Sequence, residues 1–123
     1  MALEHAAAYG RDRVQFGQPI GTFESLAHML DENQTQVAAA RLLVLHAAWE
    51  VDRGGAAAAD GASRARDLAA RAAARATIDA VQIFGGYGFV NDFPVEKLMR
   101  DARPFEALGG NEALARVLSA VEG

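Results

Sequence analysis

Apolar residues along this chain recur at three- and four-residue intervals, the spacing of helices with a buried face, and no stretch alternates convincingly as a strand would. Five helical segments are expected. The first covers the Ala-rich run from Ala2 to about Arg13 and ends before Gln15-Phe16-Gly17-Gln18-Pro19-Ile20, where Gly17 and Pro19 act as breakers. Thr22 is the expected N-cap of a second helix reaching about Arg53, with Gly54 and Gly55 standing where a C-terminal stop belongs. Its apolar stripe reads Leu26, Met29/Leu30, Val37, Ala40, Val44, Ala47/Ala48 and Val51, and a second stripe of Leu42, Leu45 and Trp49 appears in its later half. Two apolar faces imply two partners. Asn33 interrupts the first stripe and is expected to be a satisfied interior or edge amide, not a catalytic group.

After a small-residue connector from Gly54 to Gly61, Asp60 or Ser63 is expected to open a third helix running to about Phe84. Its buried edge reads Ala65, Leu68/Ala69, Ala72, Ala76, Ala80 and Ile83, small enough for a neighbouring backbone to come close. The other face carries Arg64, Asp67, Arg71, Arg75 and Asp79 and reads as solvated. Asn91 or Asp92 begins a short fourth helix with Pro94 in its first turn and Val95, Leu98, Met99 and Ala102 on one face; Pro104 is expected to stop it. Asn111 caps a last helix whose apolar face is Leu114, Val117/Leu118 and Val121. A second helix of this length spans about 45 to 50 Å, longer than the ~35 Å expected of a compact sphere of this chain length. An all-α, rod-like bundle follows, with helix faces left for another chain to cover.

Composition sharpens this picture. Of 123 residues, 28 are Ala, so the core is thin for a chain with 51% hydrophobic residues. The net charge of -4 argues against a nucleic-acid partner. The absence of Cys excludes a disulfide framework, a thiolate nucleophile and a Cys-ligated metal, and fits a reducing cytoplasm. No window reaches the roughly 18 apolar residues of a membrane span, so the expectation is a protein without membrane anchor or targeting segment.

Two segments carry candidate chemistry. In Gln82-Ile83-Phe84-Gly85-Gly86-Tyr87-Gly88-Phe89, three glycines in four positions follow a helix, either as a C-cap or as a place where a ligand approaches the backbone closely. The order, helix before glycines, is wrong for a dinucleotide fold. In Arg13-Val14-Gln15-Phe16-Gly17-Gln18-Pro19-Ile20, an Arg at a helix end followed by an aromatic in a turn suits an anion and a flat ligand, and also suits the helix dipole alone. Neither reading wins on local grounds.

In order and spacing, Ala7-Ala8-Tyr9 with Arg13 to Ile20, Ala47-Ala48-Trp49-Glu50-Val51-Asp52, Gln82 to Phe89 and Pro94-Val95-Glu96-Lys97-Leu98-Met99-Arg100-Asp101-Ala102-Arg103 resemble the acyl-CoA dehydrogenase family from end to end. The similarity is to its C-terminal helical domain, with residues 1–123 as a single domain and the family's N-terminal helical and middle β-domains absent. The resemblance implies an up-and-down four-helix bundle that builds a homo-oligomer, dimer or tetramer, and reaches across an interface to hold the adenosine and pyrophosphate part of FAD. By position, Arg13 would meet the pyrophosphate, Gln15 and Phe16 would line the same pocket, and Gln82, Gly85 and Gly86 would approach the adenosine side. The implied chemistry is α,β-desaturation of an acyl-CoA thioester in fatty acid metabolism, with electrons passed on to an electron-transferring flavoprotein.

The departures concern catalysis. The family's glutamate base falls here on Leu108 or Gly109, neither of which can accept a proton. Glu106 and Glu112 are nearby but read as a solvated loop acid and a first-turn helix acid. A second branch carries its base earlier in the first helix, upstream of these residues. Leu30-Asp31-Glu32-Asn33 stands where the family commonly has leucine, alanine, aspartate and methionine, which puts two polar residues at apolar positions. The expectation is therefore an oligomerisation and FAD-contacting domain without catalytic residues or metal, inactive alone, with a partner chain possible as the source of the missing domains. A non-catalytic helical assembly module and part of an acyl-CoA dehydrogenase-like flavin monooxygenase are the alternatives.

Overall fold

The computed structural model describes residues 1–56, 58–90 and 92–109. Over these the chain is all-α, with helices α1 (Ala2–Asp12), α2 (Glu24–Asp52), α3 (Ala58–Phe84) and α4 (Val95–Gly109), and short 3₁₀ turns over Ile20–Thr22 and Gly85–Phe89. Asn91 and the last helix expected from Asn111, including Glu112, lie outside the described residues. At about 1.5 Å per residue the 29 residues of α2 span roughly 44 Å, in line with the rod expected from the sequence. No helix of the described residues is long and apolar enough to cross a membrane.

Boundaries follow local chemistry, with corrections. Thr22 does not cap α2: its hydroxyl donates to the Pro19 carbonyl at 2.7 Å within the 3₁₀ turn, and Phe23 takes the N-cap position. At the other end Gly54, at φ 65°, takes the left-handed position; its N–H donates to Val51 O at 3.0 Å and that of Gly55 to Glu50 O at 3.1 Å. This double closure is the stop the Gly pair implied. Helix α3 opens at Ala58, ahead of Asp60 and Ser63, because the alanines before them are strong helix formers and Asp60 then falls in the first turn. Helix α4 opens at Val95, so Pro94 precedes the first turn, its carbonyl accepting from Leu98 N–H at 2.9 Å. Pro104 does not end α4, which runs through it to Gly109. A proline lacks one N–H, and the exposed flank of α4 absorbs that single loss.

The helix with several partners is α3, which packs against α2, α4 and α1. Ala65, Ala72, Ala76, Ala80 and Ile83 are buried as expected, and a second row, Ala70, Ala74, Thr77, Val81 and Phe84, is buried too. The only buried apolar side chains larger than Ala among the described residues are Val81, Ile83, Phe84 and Val95. These gather with Ala2, Ala6 and Ala80 into a core at the C-terminal end of α3, flanked by Leu26, Met29, Leu30, Leu98 and Met99. Tyr9 stacks on Phe84 with ring centroids 4.2 Å apart, and Phe93 closes on both rings.

By contrast α2 finds one partner along most of its length. Ala40 and Ala47 of its first stripe are buried, but Val37, Val44 and Val51 are exposed, and the second stripe lies open, with Leu42, Leu45 and Trp49 at 68%, 59% and 50% exposure. Asn33 is a satisfied interior amide, as expected. Asp79, read as part of a solvated face, is instead 5% exposed and accepts from Asn33. On the rest of that face Arg64, Arg71 and Arg75 are exposed and Asp67 is half-buried, with Asp60–Arg64 and Asp67–Arg71 paired one turn apart at 2.8 and 2.6 Å. On α4 the same spacing pairs Glu96 with Arg100 at 2.6 Å, and the Glu96 carboxylate raises the Arg100 pKa above its ordinary value.

Candidate functional site

The site is built where the end of α1 meets the end of α3. Arg13 is the C-cap of α1; its N–H donates to Tyr9 O at 2.9 Å and its carbonyl accepts from Ile20 N–H at 2.8 Å. Between those anchors, the chain makes a minimal hairpin that the sequence did not suggest, β1 (Val14–Gln15) pairing antiparallel with β2 (Gln18–Pro19). Two-residue strands are too short to show alternation. The loop residues Phe16 and Gly17 both have positive φ, 53° and 82°, as a two-residue loop of right-handed twist demands. Glycine accepts this freely and phenylalanine does not. The Phe16 ring projects to 93% exposure, with only an edge contact to Phe23.

Opposite the hairpin, α3 ends in Ile83 and Phe84, and Gly85 turns the chain at φ 57°. A side chain at Gly88 would put its Cβ 2.8 Å from the Val81 carbonyl, so this glycine is required for the 3₁₀ turn to lie against α3. At Gly86 an added Cβ meets nothing of this chain within 4 Å. The two glycines thus differ: Gly88 serves internal packing and Gly86 faces open space.

Together these segments enclose an open groove of about 510 Å³, with Tyr9, Phe84, Ile83, Ile20 and Val90 as its apolar lining and Arg13, Gln15, Gly86 and Tyr87 as its rim and floor. The Arg13 guanidinium lies 5.5 Å from the Tyr87 ring centroid. Of the expected cofactor-binding residues, Arg13, Gln15 and Gly86 line the groove. Phe16, Gln82 and Gly85 are exposed and do not line it. Tyr9 and Tyr87, which the motifs contain without a cofactor role, line it as well; Tyr9 stands one helical turn before Arg13 and so shares its face, which is the signal that marks it. A groove of this make-up suits an anionic group at Arg13 and a flat apolar group against the aromatic wall.

A second open groove, about 440 Å³, runs between the later half of α2 and the start of α3, lined by Val44, Ala47, Val51, Ala62, Ala65 and Ala69 with Asp52 and Arg66 beside them. Leu108 and Gly109, the positions expected for the base, fall in the last turn of α4, and their side chains lie outside those described. Glu106 is on helix α4 and not in a loop; it is exposed and 3.9 Å from Arg103. Among the described residues no group of three His, Cys, Asp or Glu is placed to hold a metal ion.

Comparison with known proteins gives this arrangement its context. Residues 1–121 match the family model described as acyl-CoA dehydrogenase, C-terminal domain. An acyl-CoA dehydrogenase of Bacillus subtilis is 43% identical over 117 residues, 95% of this chain and 31% of the relative. A 3-(aryl)acrylate reductase of Clostridium sporogenes is 36% identical over 119 residues, 97% of this chain and 31% of the relative. The structure of butyryl-CoA dehydrogenase from Megasphaera elsdenii superimposes with a TM-score of 0.80 at 36% identity, covering 93% of this chain and 32% of that one. The chain thus spans about a third of the length of the relatives it matches. With the helices, the glycine turn and the Arg-bearing hairpin all inside the matched residues, the chain belongs to the acyl-CoA dehydrogenase C-terminal domain family.

Proposed function

We propose that this domain contributes an FAD-contacting surface and an oligomerisation surface to an acyl-CoA dehydrogenase-type flavoprotein, and that the chain alone does not turn over acyl-CoAs. The observation that carries the first part is the groove at the end of α1 and α3. Its donor set suits the adenosine diphosphate half of the cofactor: a guanidinium for the pyrophosphate, aromatic and aliphatic walls for the adenine, and at Gly86 a backbone that a ligand can approach. Arg13, Gln15 and Gly86 hold the cofactor from this groove, and Gln82 and Gly85 approach the adenosine side. Phe16, strained and almost wholly exposed, presents its ring to the cofactor of a neighbouring subunit, in keeping with the clustering of strained backbone at ligand sites.

When bound, FAD supplies the hydride acceptor for desaturation of an acyl-CoA thioester. The residues of this chain bind and orient it, and with Leu108 and Gly109 at the base position they supply no group for removing the α-proton. Support for assembly comes from Leu42, Leu45 and Trp49. Fully burying an exposed side chain of this kind is worth about 1.5 to 3 kcal/mol, and with 50 to 68% of each still exposed, a two-fold interface on this face gains enough to offset the lower part of an association cost of about 4 to 15 kcal/mol. The same stripe favours the second reading, a helical assembly module with no flavin role.

Titration of the chain with FAD, followed by flavin fluorescence, separates the two. The first reading predicts saturable binding that Arg13→Ala weakens roughly tenfold or more, as expected for loss of a charged hydrogen-bond donor. No binding by either protein supports the assembly module alone, and equal binding by both removes Arg13 from the site.

A further inference from the structure

We propose that Tyr87 is a positioning residue for Arg13: its ring holds the guanidinium over the groove without neutralising it. This rests on the cofactor reading above and adds to it the group that presents the charge. The two residues are 74 positions apart, one ending α1 and the other in the 3₁₀ turn after α3, and the guanidinium carbon lies 5.5 Å from the ring centroid. That is within the reach of a cation–π attraction.

Both ends of the contact are fixed. Arg13 is held by backbone hydrogen bonds on either side, to Tyr9 and from Ile20. Tyr87 lies between Gly85, whose positive φ sets the turn, and Gly88, which is pressed against the Val81 carbonyl. Among the described residues Arg64, Arg71, Arg75, Arg100 and Arg103 each face a carboxylate on their own helix, whereas the exposed Arg11, Arg41, Arg53 and Arg66 do not, and of these only Arg53 meets a ring, that of Trp49 on its own helix end. Arg13 has no carboxylate within ion-pair distance among the described residues. A carboxylate would orient the side chain but cancel the charge that an anion needs, whereas a ring orients it and leaves its hydrogen-bond donors free. Unlike the Arg53–Trp49 contact, this one joins two separate elements at the groove, which is what makes Tyr87 a candidate for holding the charge there.

The test combines NMR of Arg13 with titration by ADP, which carries adenosine and pyrophosphate but no flavin. In the wild-type chain the Arg13 side-chain protons resonate upfield through the Tyr87 ring current; Tyr87→Phe keeps the displacement and Tyr87→Leu removes it. ADP binding stays within twofold in Tyr87→Phe and weakens about two- to fivefold in Tyr87→Leu, the range of a partly exposed cation–π contact. Absence of the upfield displacement in the wild type, or unchanged ADP binding in Tyr87→Leu while Arg13→Ala weakens it, overturns the role of Tyr87 and leaves the cofactor reading intact. Unchanged binding in Arg13→Ala, or no binding by the wild type, overturns the cofactor reading and this role with it.

Discussion

Asn33 Nδ2 donates to the Asp79 carboxylate at 2.8 Å across the α2–α3 interface, with the two residues only 3% and 5% exposed. The second Asn33 hydrogen goes to the Met29 carbonyl at 2.8 Å, and Arg75 Nε donates to the same Asp79 oxygen at 2.7 Å. Every polar hydrogen of the buried amide is used, and the buried carboxylate has both a neutral and a charged donor. A slide of one helix past the other would strand both groups, so the pair fixes the register that a seam of interchangeable alanines leaves loose.

Asn33→Leu is therefore predicted to destabilise the chain by about 1 to 3 kcal/mol, because Asp79 loses a buried partner. The double variant Asn33→Leu/Asp79→Leu should recover most of that loss, since no unpaired polar group remains. Urea unfolding of the two single variants and the double variant closes the cycle. Additive losses would contradict the coupling.

This pair also marks where the sequence stops being legible. The periodicity of α2 located Asn33 in its buried stripe and predicted a satisfied amide, but gave no hint of a partner 46 residues away. Asp79 sits at helical spacing from Arg75, which reads equally well as a solvated ion pair; only the approach of α2 shows that it is buried. The stop at Gly54, the alanine edge of α3 and the exposed stripe of α2 were legible because each depends on near neighbours in sequence. The groove was legible only in part, since Tyr9 and Tyr87 are brought together by tertiary packing, and the hairpin of Val14 to Pro19 is too short to leave a pattern. Pro104 misled because its missing N–H is a local penalty that the rest of α4 outweighs.

Gly86 and Gly88 of the turn are predicted to separate stability from binding. Gly88→Ala places a Cβ against the Val81 carbonyl and should cost more than about 1 kcal/mol in unfolding experiments. Gly86→Ala has room within the chain and should leave the thermal midpoint within a few degrees while weakening FAD binding. Loss of stability at Gly86 without loss of binding would count against its place in the site.

Phe16→Asn should hold stability or raise it by up to about 1 kcal/mol, because asparagine before glycine is favoured in a loop with two positive φ values. The same variant should bind FAD more weakly. A protein that loses stability and keeps its affinity would show that the Phe16 ring serves the fold and not the cofactor.

Sedimentation equilibrium of the chain with FAD, followed in the flavin absorption band, shows whether one domain both assembles and contacts the cofactor. Flavin should sediment with a species of at least twice the 13.0 kDa chain mass at micromolar concentration, and Trp49→Glu should shift this species toward monomer. A chain that sediments as monomer throughout, or flavin that stays behind while an oligomer sediments, would contradict that double role.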